Sequence, residues 1–163
     1  MLLYPLANGN AWTYKMKDGN TYSNTVTGVD GDVFTMLNSA ANLASQVKFD
    51  GSNYSTNAYT AGKFDVFLKE NPAVGDTWEI HFTANTIQSI LVMTVRETAL
   101  TQEVEGKTYQ NVVMLEADSK MNMNGNIMSL NFITKYYYAP GTGLILTTSS
   151  YGDYHGLVAC DLK

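Results

Sequence analysis

The longest hairpin signal in this chain is VVMLEADSKMNMNGNIMSLNFITKYYY, residues 112–138. At its centre stands Asn124-Gly125, a pair favoured in two-residue type I′ turns because both positions need positive φ. Strands that fold back at this turn place Met121 opposite Met128 on an apolar face. The pattern therefore predicts a β-hairpin with two long arms.

The same register predicts the pairing farther from the turn. On the apolar face it places Ala117 opposite Phe132, Leu115 opposite Thr134 and Val113 opposite Tyr136. On the other, mixed face it places Val112 opposite Tyr137, Met114 opposite Lys135 and Glu116 opposite Ile133. The second arm, residues 127–138, is about twice the usual strand length. Strands of this length tend to twist and curl around a helix, a second sheet or a cavity.

A short turn formula recurs elsewhere: an acidic residue, a glycine, and an aromatic residue three positions after the glycine. Its copies are Asp18-Gly19, Asp30-Gly31, Asp50-Gly51 and Glu105-Gly106. Residues that face each other across a hairpin share one face of the sheet, so the apolar alternation selects the loop length. It predicts three-residue loops with a glycine bulge at the first two copies and a two-residue loop at the third. The predicted partners are Tyr22 with Tyr14, Asn24 with Trp12, Phe34 with Val26, and Tyr54 with Val47.

Helix signals are confined to residues 39–46, which fit either two helical turns capped by Ser39 or a loop. A chain of 163 residues suits one domain. These patterns together predict a single domain, residues 1–163, of the all-β class. Its architecture is an antiparallel, hairpin-built half-barrel or flattened barrel with little helix.

Composition argues against several classes of function. Only 15% of the residues are charged, the net charge is −5, and the ten basic residues form no cluster, which disfavours nucleic-acid binding. The apolar runs are too short for a transmembrane segment. Because Cys160 is the single cysteine, an internal disulfide is impossible. No signal peptide is visible, so the protein is either cytoplasmic or a mature chain whose leader was removed.

Catalytic and metal-binding patterns are weak. His81 and His155 have no metal-ligand spacing, and Cys160 stands in an apolar run typical of a buried small residue. Phosphate-binding and calcium-binding loops do not match. Glu116 and Asp118 share one face of a strand and are the best acids for a hydrolase, although a solvated face explains them equally well. We therefore expect no catalytic residues, no metal and no cofactor.

Aromatic residues are the main candidates for contacts with a ligand: the chain has two Trp, eleven Tyr and six Phe. They could line an apolar pocket, although most aromatic residues of a β-domain simply pack in its core. The candidate ligand-binding residues are Trp12, Tyr14, Trp78, Phe132 and Tyr136. The apolar concave face predicted for the sheet carries Trp12, Tyr14, Val26, Phe34, Trp78, Ile80, Phe82, Leu115, Leu130, Phe132 and Tyr136.

Three segments carry a family resemblance. They are YPLANGNAWTY at residues 4–14, NPAVGDTW at residues 71–78 and YYAPGTGLI at residues 137–145. In this order they resemble a family of uncharacterised bacterial cell-envelope proteins, secreted or lipid-anchored, with a curved antiparallel sheet. That fold is loosely similar to the half-barrel of periplasmic lipoprotein carriers. The resemblance implies a cell-envelope location, periplasmic, secreted or anchored to the outer membrane, for a chain whose leader was removed.

The resemblance and the residue patterns favour a passive role over catalysis. The leading hypothesis is a non-catalytic envelope binding module that holds an apolar or amphipathic ligand, such as a lipid, in the concave sheet. The second is a structural or protein-interaction domain with a filled core and a protein partner. A hydrolase that uses Glu116 or Asp118 is the third.

Overall fold

The computed structural model describes residues 1–163 as twelve β-strands without a helix. The strands are β1 (Ala11–Met16), β2 (Thr21–Asp30), β3 (Val33–Asn38), β4 (Leu43–Phe49), β5 (Asn53–Thr60), β6 (Lys63–Lys69), β7 (Thr77–Ala84), β8 (Ile87–Val104), β9 (Lys107–Met123), β10 (Asn126–Ala139), β11 (Gly143–Ser149) and β12 (Tyr154–Asp161). All belong to one antiparallel sheet in the order β6-β5-β4-β3-β2-β1-β12-β11-β10-β9-β8-β7. The all-β, antiparallel prediction is confirmed.

The sheet curls until its two edge strands, β6 and β7, lie side by side, so the fold is a nearly closed barrel. No backbone ladder joins these edges. Side chains bridge them instead: Trp78 Nε1 donates a hydrogen bond to the carbonyl oxygen of Val66 at 2.8 Å, and Lys63 Nζ donates one to that of His81 at 3.1 Å. We call this junction the seam. Its bonds satisfy some of the backbone groups that edge strands leave unpaired.

The first hairpin has the predicted register. Trp12 pairs with Asn24 and Tyr14 with Tyr22 across the turn at Gly19, whose φ is +89°. The predicted pair of Met121 with Met128 is also present.

Three other registers were predicted wrongly, each because of backbone irregularity. A bulge before Gly28 pairs Val26 with Met36 and Val29 with Phe34. The turn at Asp50-Gly51 has four residues, so Phe49 pairs with Tyr54 and Val47 with Thr56. Beyond Ser129, a two-residue irregularity slides the β9–β10 ladder by two positions. The observed pairs there are Ser119 with Phe132, Ala117 with Thr134, Leu115 with Tyr136, Val113 with Tyr138, Met114 with Tyr137, Glu116 with Lys135, and Asp118 with Ile133.

Residues 39–46 form no helix: a turn at residues 39–42 leads directly into β4. The predicted long strand of the 112–138 hairpin is present as β10, with fourteen residues.

The core fills much of the barrel. Trp12, Tyr14, Val26, Ile80 and Leu115 are fully buried there, as predicted for the concave face. Phe34, Trp78, Phe82 and Tyr136 are partly buried against this core. Leu130 is a correction, because its side chain is 42% exposed on the β9–β10 hairpin. Phe132 lies outside the core and packs edge-on against Tyr151 with ring centroids 5.0 Å apart.

The tip of the β8–β9 hairpin folds back onto the outside of the barrel. Irregular register after Val95 bends both strands. The bend brings Glu105 to the neighbourhood of β1 and β12, where it accepts a hydrogen bond from Tyr154 Oη at 2.6 Å and lies 3.7 Å from Lys15 Nζ. This flap buries Val104 and Tyr109.

Candidate functional site

Two cavities occupy the end of the barrel where the β3–β4, β5–β6 and β7–β8 turns lie. The first, which we call the interior cavity, has a volume of about 250 Å³. Nine of its thirteen lining residues are hydrophobic. The lining consists of Tyr4, Asn24, Met36, Asn38, Ser45, Val47, Thr56, Ala58, Tyr59, Phe67, Met93, Tyr136 and Tyr138.

The lining of the interior cavity contains both apolar and polar side chains. Met36, Val47 and Met93 are buried and make its walls apolar. Its polar lining includes Asn24 and Asn38, whose side chains are joined by a hydrogen bond from Asn38 Nδ2 to Asn24 Oδ1 at 2.9 Å. An apolar wall with a few placed polar groups is the usual make-up of a small-molecule site.

The floor of this cavity is formed by Tyr4, which enters the barrel from the opposite end. Its ring contacts those of Trp12 and Tyr138, with centroid separations of 5.2 and 5.9 Å. Glu70 fixes the segment, because its carboxylate accepts hydrogen bonds from the Leu3 backbone N–H at 2.6 Å and from Tyr54 Oη at 3.0 Å. The N-terminal residues therefore close one end of the barrel.

The second cavity, which we call the rim cavity, lies at the seam and has a volume of about 570 Å³. Only four of its eleven lining residues are hydrophobic. The lining consists of Tyr59, Thr60, Ala61, Lys63, His81, Phe82, Thr83, Gln88, Ser89, Ile90 and Asn122. This is a polar, solvent-facing space beside the mouth of the interior cavity.

Tyr59 lines both cavities and is the wall between them. Its ring centroid lies 5.3 Å from that of Phe82 across the seam. Burial raises the pKa of Tyr59 well above its usual range, with smaller contributions from Tyr136 and Asp65. The phenol therefore stays neutral at physiological pH.

Asp65 is the unusual polar residue of this region. Its side chain is 9% exposed, and Oδ1 lies 3.2 Å from Lys63 Nζ. Its other oxygen, Oδ2, is buried and has no hydrogen-bond partner. Because an unpartnered buried carboxylate oxygen is costly, this atom calls for an explanation.

The five predicted ligand-binding residues are not brought together. Trp12 and Tyr14 are fully buried, and each donates a hydrogen bond to a backbone carbonyl, Trp12 to Thr142 at 2.6 Å and Tyr14 to Leu144 at 2.8 Å.

The other three predicted residues are spread over the barrel. Trp78 bridges the seam, with Lys69 Nζ 5.0 Å from its ring centroid. Phe132 lies against Tyr151. Tyr136 alone of the five lines a cavity. Sequence reasoning missed Tyr4, Tyr59 and Asp65.

The titratable candidates stand apart from both cavities or at their rim. Glu116 accepts a hydrogen bond from Arg96 Nε at 3.3 Å, and Asp118 pairs with Ile133 in the ladder. His81 Nε2 lies 2.8 Å from Glu79 Oε1 on the surface. No group of three or more His, Cys, Asp or Glu residues is placed to hold a metal ion. No helix in the chain is long and apolar enough to cross a membrane.

The fold has a counterpart among solved structures. It is shared by a "putative lipoprotein" from Parabacteroides distasonis ATCC 8503. The TM-score is 0.59 at 10% sequence identity, and the alignment covers 98% of each chain. No family model matches this chain, and no curated protein matches its sequence. The curved antiparallel sheet implied by the resemblance is thus confirmed at the level of fold.

Proposed function

We propose that this protein is a non-catalytic cell-envelope binding module that holds an apolar or amphipathic ligand in its interior cavity. The observation that carries the proposal is the cavity itself, a space of about 250 Å³ with nine hydrophobic lining residues inside a curved sheet. The structural counterpart described as a "putative lipoprotein" supports an envelope location.

The size of the cavity limits the ligand. Small-molecule sites usually measure about 300–1,000 Å³, so the interior cavity suits one short acyl chain or a compact ring system. The rim cavity adjoins it through Tyr59 and offers polar groups for the remainder of the molecule. An amphipathic ligand matches the two linings when its apolar part lies in the interior cavity and its polar part lies in the rim cavity at the seam.

The proposal can be tested by native mass spectrometry on the protein purified from its own host, followed by extraction of any bound lipid. A stoichiometric apolar ligand would support it. Protein without ligand, whose thermal midpoint is unchanged across a panel of short-chain lipids, would contradict it.

A blocking substitution gives a sharper prediction. Ala58 lines the interior cavity yet is exposed, so Ala58→Phe should fill its mouth without disturbing the core. We expect the affinity for a ten-carbon alcohol, measured by calorimetry, to fall at least about tenfold, since the apolar part loses its buried surface. Ala44→Phe is the matched control, because Ala44 is exposed on β4 and lines neither cavity. Equal affinities for the two variants would place the binding site elsewhere.

The second candidate function is protein interaction, and the end of the β9–β10 hairpin favours it. Exposed apolar side chains gather at this end and on the neighbouring β8 strand: Ile87, Met123, Ile127, Met128 and Leu130. Residues 126–131 of β10 also lie beyond the ladder with β11, which leaves one backbone edge free. A free apolar edge can pair with the same edge of a second copy, and the two edges would be related by a two-fold axis.

This candidate predicts concentration-dependent dimerisation that Ile127→Lys abolishes. Ile127 is 54% exposed, so the substitution should leave the fold intact while placing a charge on the pairing edge. Sedimentation velocity of both proteins measures the outcome. A wild-type chain that stays monomeric throughout the accessible concentration range would rule out this mode of pairing.

A further inference from the structure

The rim cavity contains a row of neutral hydrogen-bonding side chains. Thr83 on β7 pairs with Gln88 on β8, and Gln88 pairs with Asn122 on β9, so the three residues lie directly opposite one another across three strands. Such partners share one face of the sheet, with Cβ atoms about 4.5–5.5 Å apart. All three residues line the rim cavity. The row therefore presents one hydroxyl and two amides side by side.

Most of the hydrogen-bonding capacity of this row is available to a ligand. Thr83 and Gln88 are exposed, and the structure shows no hydrogen bond from either side chain. Asn122 Oδ1 accepts a hydrogen bond from the backbone N–H of Gly125 at 2.9 Å, which leaves Nδ2 available. Amides and hydroxyls offer both donors and acceptors. They match a ligand with several hydroxyls, each of which also donates and accepts.

The charges at the rim cavity are already compensated. Lys63 Nζ lies 3.2 Å from Asp65 Oδ1 and donates a hydrogen bond to the carbonyl oxygen of His81 at 3.1 Å. His81 Nε2 lies 2.8 Å from Glu79 Oε1. Neither carboxylate lines the cavity. The cavity therefore has no uncompensated cation for a phosphate or carboxylate and no carboxylate for an amine, which favours an uncharged ligand group.

Two aromatic rings add an apolar surface to this polar lining. Tyr59 and Phe82 both line the rim cavity, both are partly buried, and their ring centroids lie 5.3 Å apart. A pyranose ring has a face of C–H groups and an edge of hydroxyls, so it can pack on an aromatic side chain while its hydroxyls form hydrogen bonds. The volume of about 570 Å³ lies within the usual range for small-molecule sites.

We propose that the rim cavity binds an uncharged sugar ring, so that the ligand is a glycoside whose apolar chain lies in the interior cavity. Thr83, Gln88 and Asn122 bind the sugar hydroxyls, and Tyr59 and Phe82 pack against its C–H face. This inference rests on the proposed function for the apolar chain and deepens it by naming the class of the polar group.

The test compares four probes by calorimetry, each below its critical micelle concentration: decyl β-D-glucopyranoside, decan-1-ol, decyl phosphate and methyl β-D-glucopyranoside. The first three share one chain and differ in the polar group, and the fourth keeps the sugar without the chain. Wild type should bind decyl glucoside at least about tenfold more tightly than decan-1-ol or decyl phosphate, because the sugar adds several hydrogen bonds. Methyl glucoside should bind at least about tenfold more weakly than decyl glucoside, because it buries no chain.

Two substitutions remove groups from the row. Gln88→Ala should weaken decyl glucoside binding about fivefold or more, and Thr83→Val, which keeps the shape of the side chain, about threefold or more. Neither residue lines the interior cavity, so the affinity for decan-1-ol should stay unchanged. Gln110→Ala is the matched control for Gln88→Ala, because Gln110 is an exposed strand glutamine that lines neither cavity. It should leave the affinities for all four probes unchanged.

The outcomes separate the two proposals. The sugar assignment is overturned, and the binding function stands, if Gln88→Ala and Gln110→Ala bind decyl glucoside equally or if wild type binds decyl phosphate more tightly than decyl glucoside. Methyl glucoside binding as tightly as decyl glucoside would overturn the proposed function, since the interior cavity would add nothing, and leave the sugar contact in place. If none of the four probes binds wild type, both proposals fail.

Discussion

Replacing Tyr4 with alanine is expected to lower the free energy of unfolding by about 3–5 kcal/mol. The ring is 8% exposed and contacts Trp12, Tyr54, Phe67 and Tyr138, so its removal leaves a void at the floor of the interior cavity. Chemical denaturation of the purified variant measures the change.

Tyr4→Phe is the control for this experiment. It keeps the ring and removes only a hydroxyl for which the structure shows no hydrogen bond, so we expect a change within about 1 kcal/mol. A loss below about 1 kcal/mol for Tyr4→Ala would mean that the N-terminal segment does not close the barrel in solution.

The second large effect is expected at alkaline pH. Burial raises the pKa values of Tyr4, Tyr14 and Tyr138 well above 10, and in the latter two neighbouring tyrosines add to it. In the unfolded chain these phenols lose their protons near pH 10, so above that pH the unfolded state binds fewer protons than the folded state. The stabilisation of the folded state by these protonated phenols is fully present below about pH 10 and is lost as the pH rises through their raised pKa values.

Each of these three buried tyrosines contributes a slope of roughly 1.4 kcal/mol per pH unit, so the three together give at least roughly 4 kcal/mol per unit. Domains of this kind are stable by about 5–15 kcal/mol, so unfolding should follow within a few units above pH 10. Phenolate absorbance and circular dichroism, recorded together against pH, should change in one cooperative step. Tyr138→Phe should reduce the slope by roughly 1.4 kcal/mol per pH unit. Complete ionisation near pH 10 with the sheet intact would contradict the burial of these rings.

Hairpin patterns predicted the fold class because the alternation of apolar and polar residues along a strand is visible in the sequence. The first register followed from parity: only a three-residue loop at Gly19 puts Tyr14 and Tyr22 on one face. The slip beyond Ser129 could not be predicted in this way. Inserting two residues preserves parity, so the apolar face stays apolar while every partner changes.

The candidate site was much less predictable. Trp12 and Tyr14 were chosen as large aromatic residues, and their size is also why the core buries them completely. Tyr4 lies in a segment without periodicity, so no pattern indicated that it enters the barrel. The seam where β6 meets β7 is a contact between strands that are not hydrogen-bonded neighbours in the sheet. Alternation within single hairpins carries no information on such a contact.

Methyl NMR on the methionines distinguishes ligand binding in the interior cavity from binding at the β9–β10 hairpin. Met36 and Met93 line that cavity, whereas Met123 and Met128 are about half exposed at the end of the β9–β10 hairpin. The four methyl groups therefore report on the two competing surfaces in one spectrum. On titration with decan-1-ol, we expect the Met36 and Met93 methyl resonances to shift and to show contacts with the alkyl chain, while those of Met123 and Met128 stay unchanged. Shifts confined to Met123 and Met128 would rule out binding in the interior cavity and place the apolar contact on the hairpin.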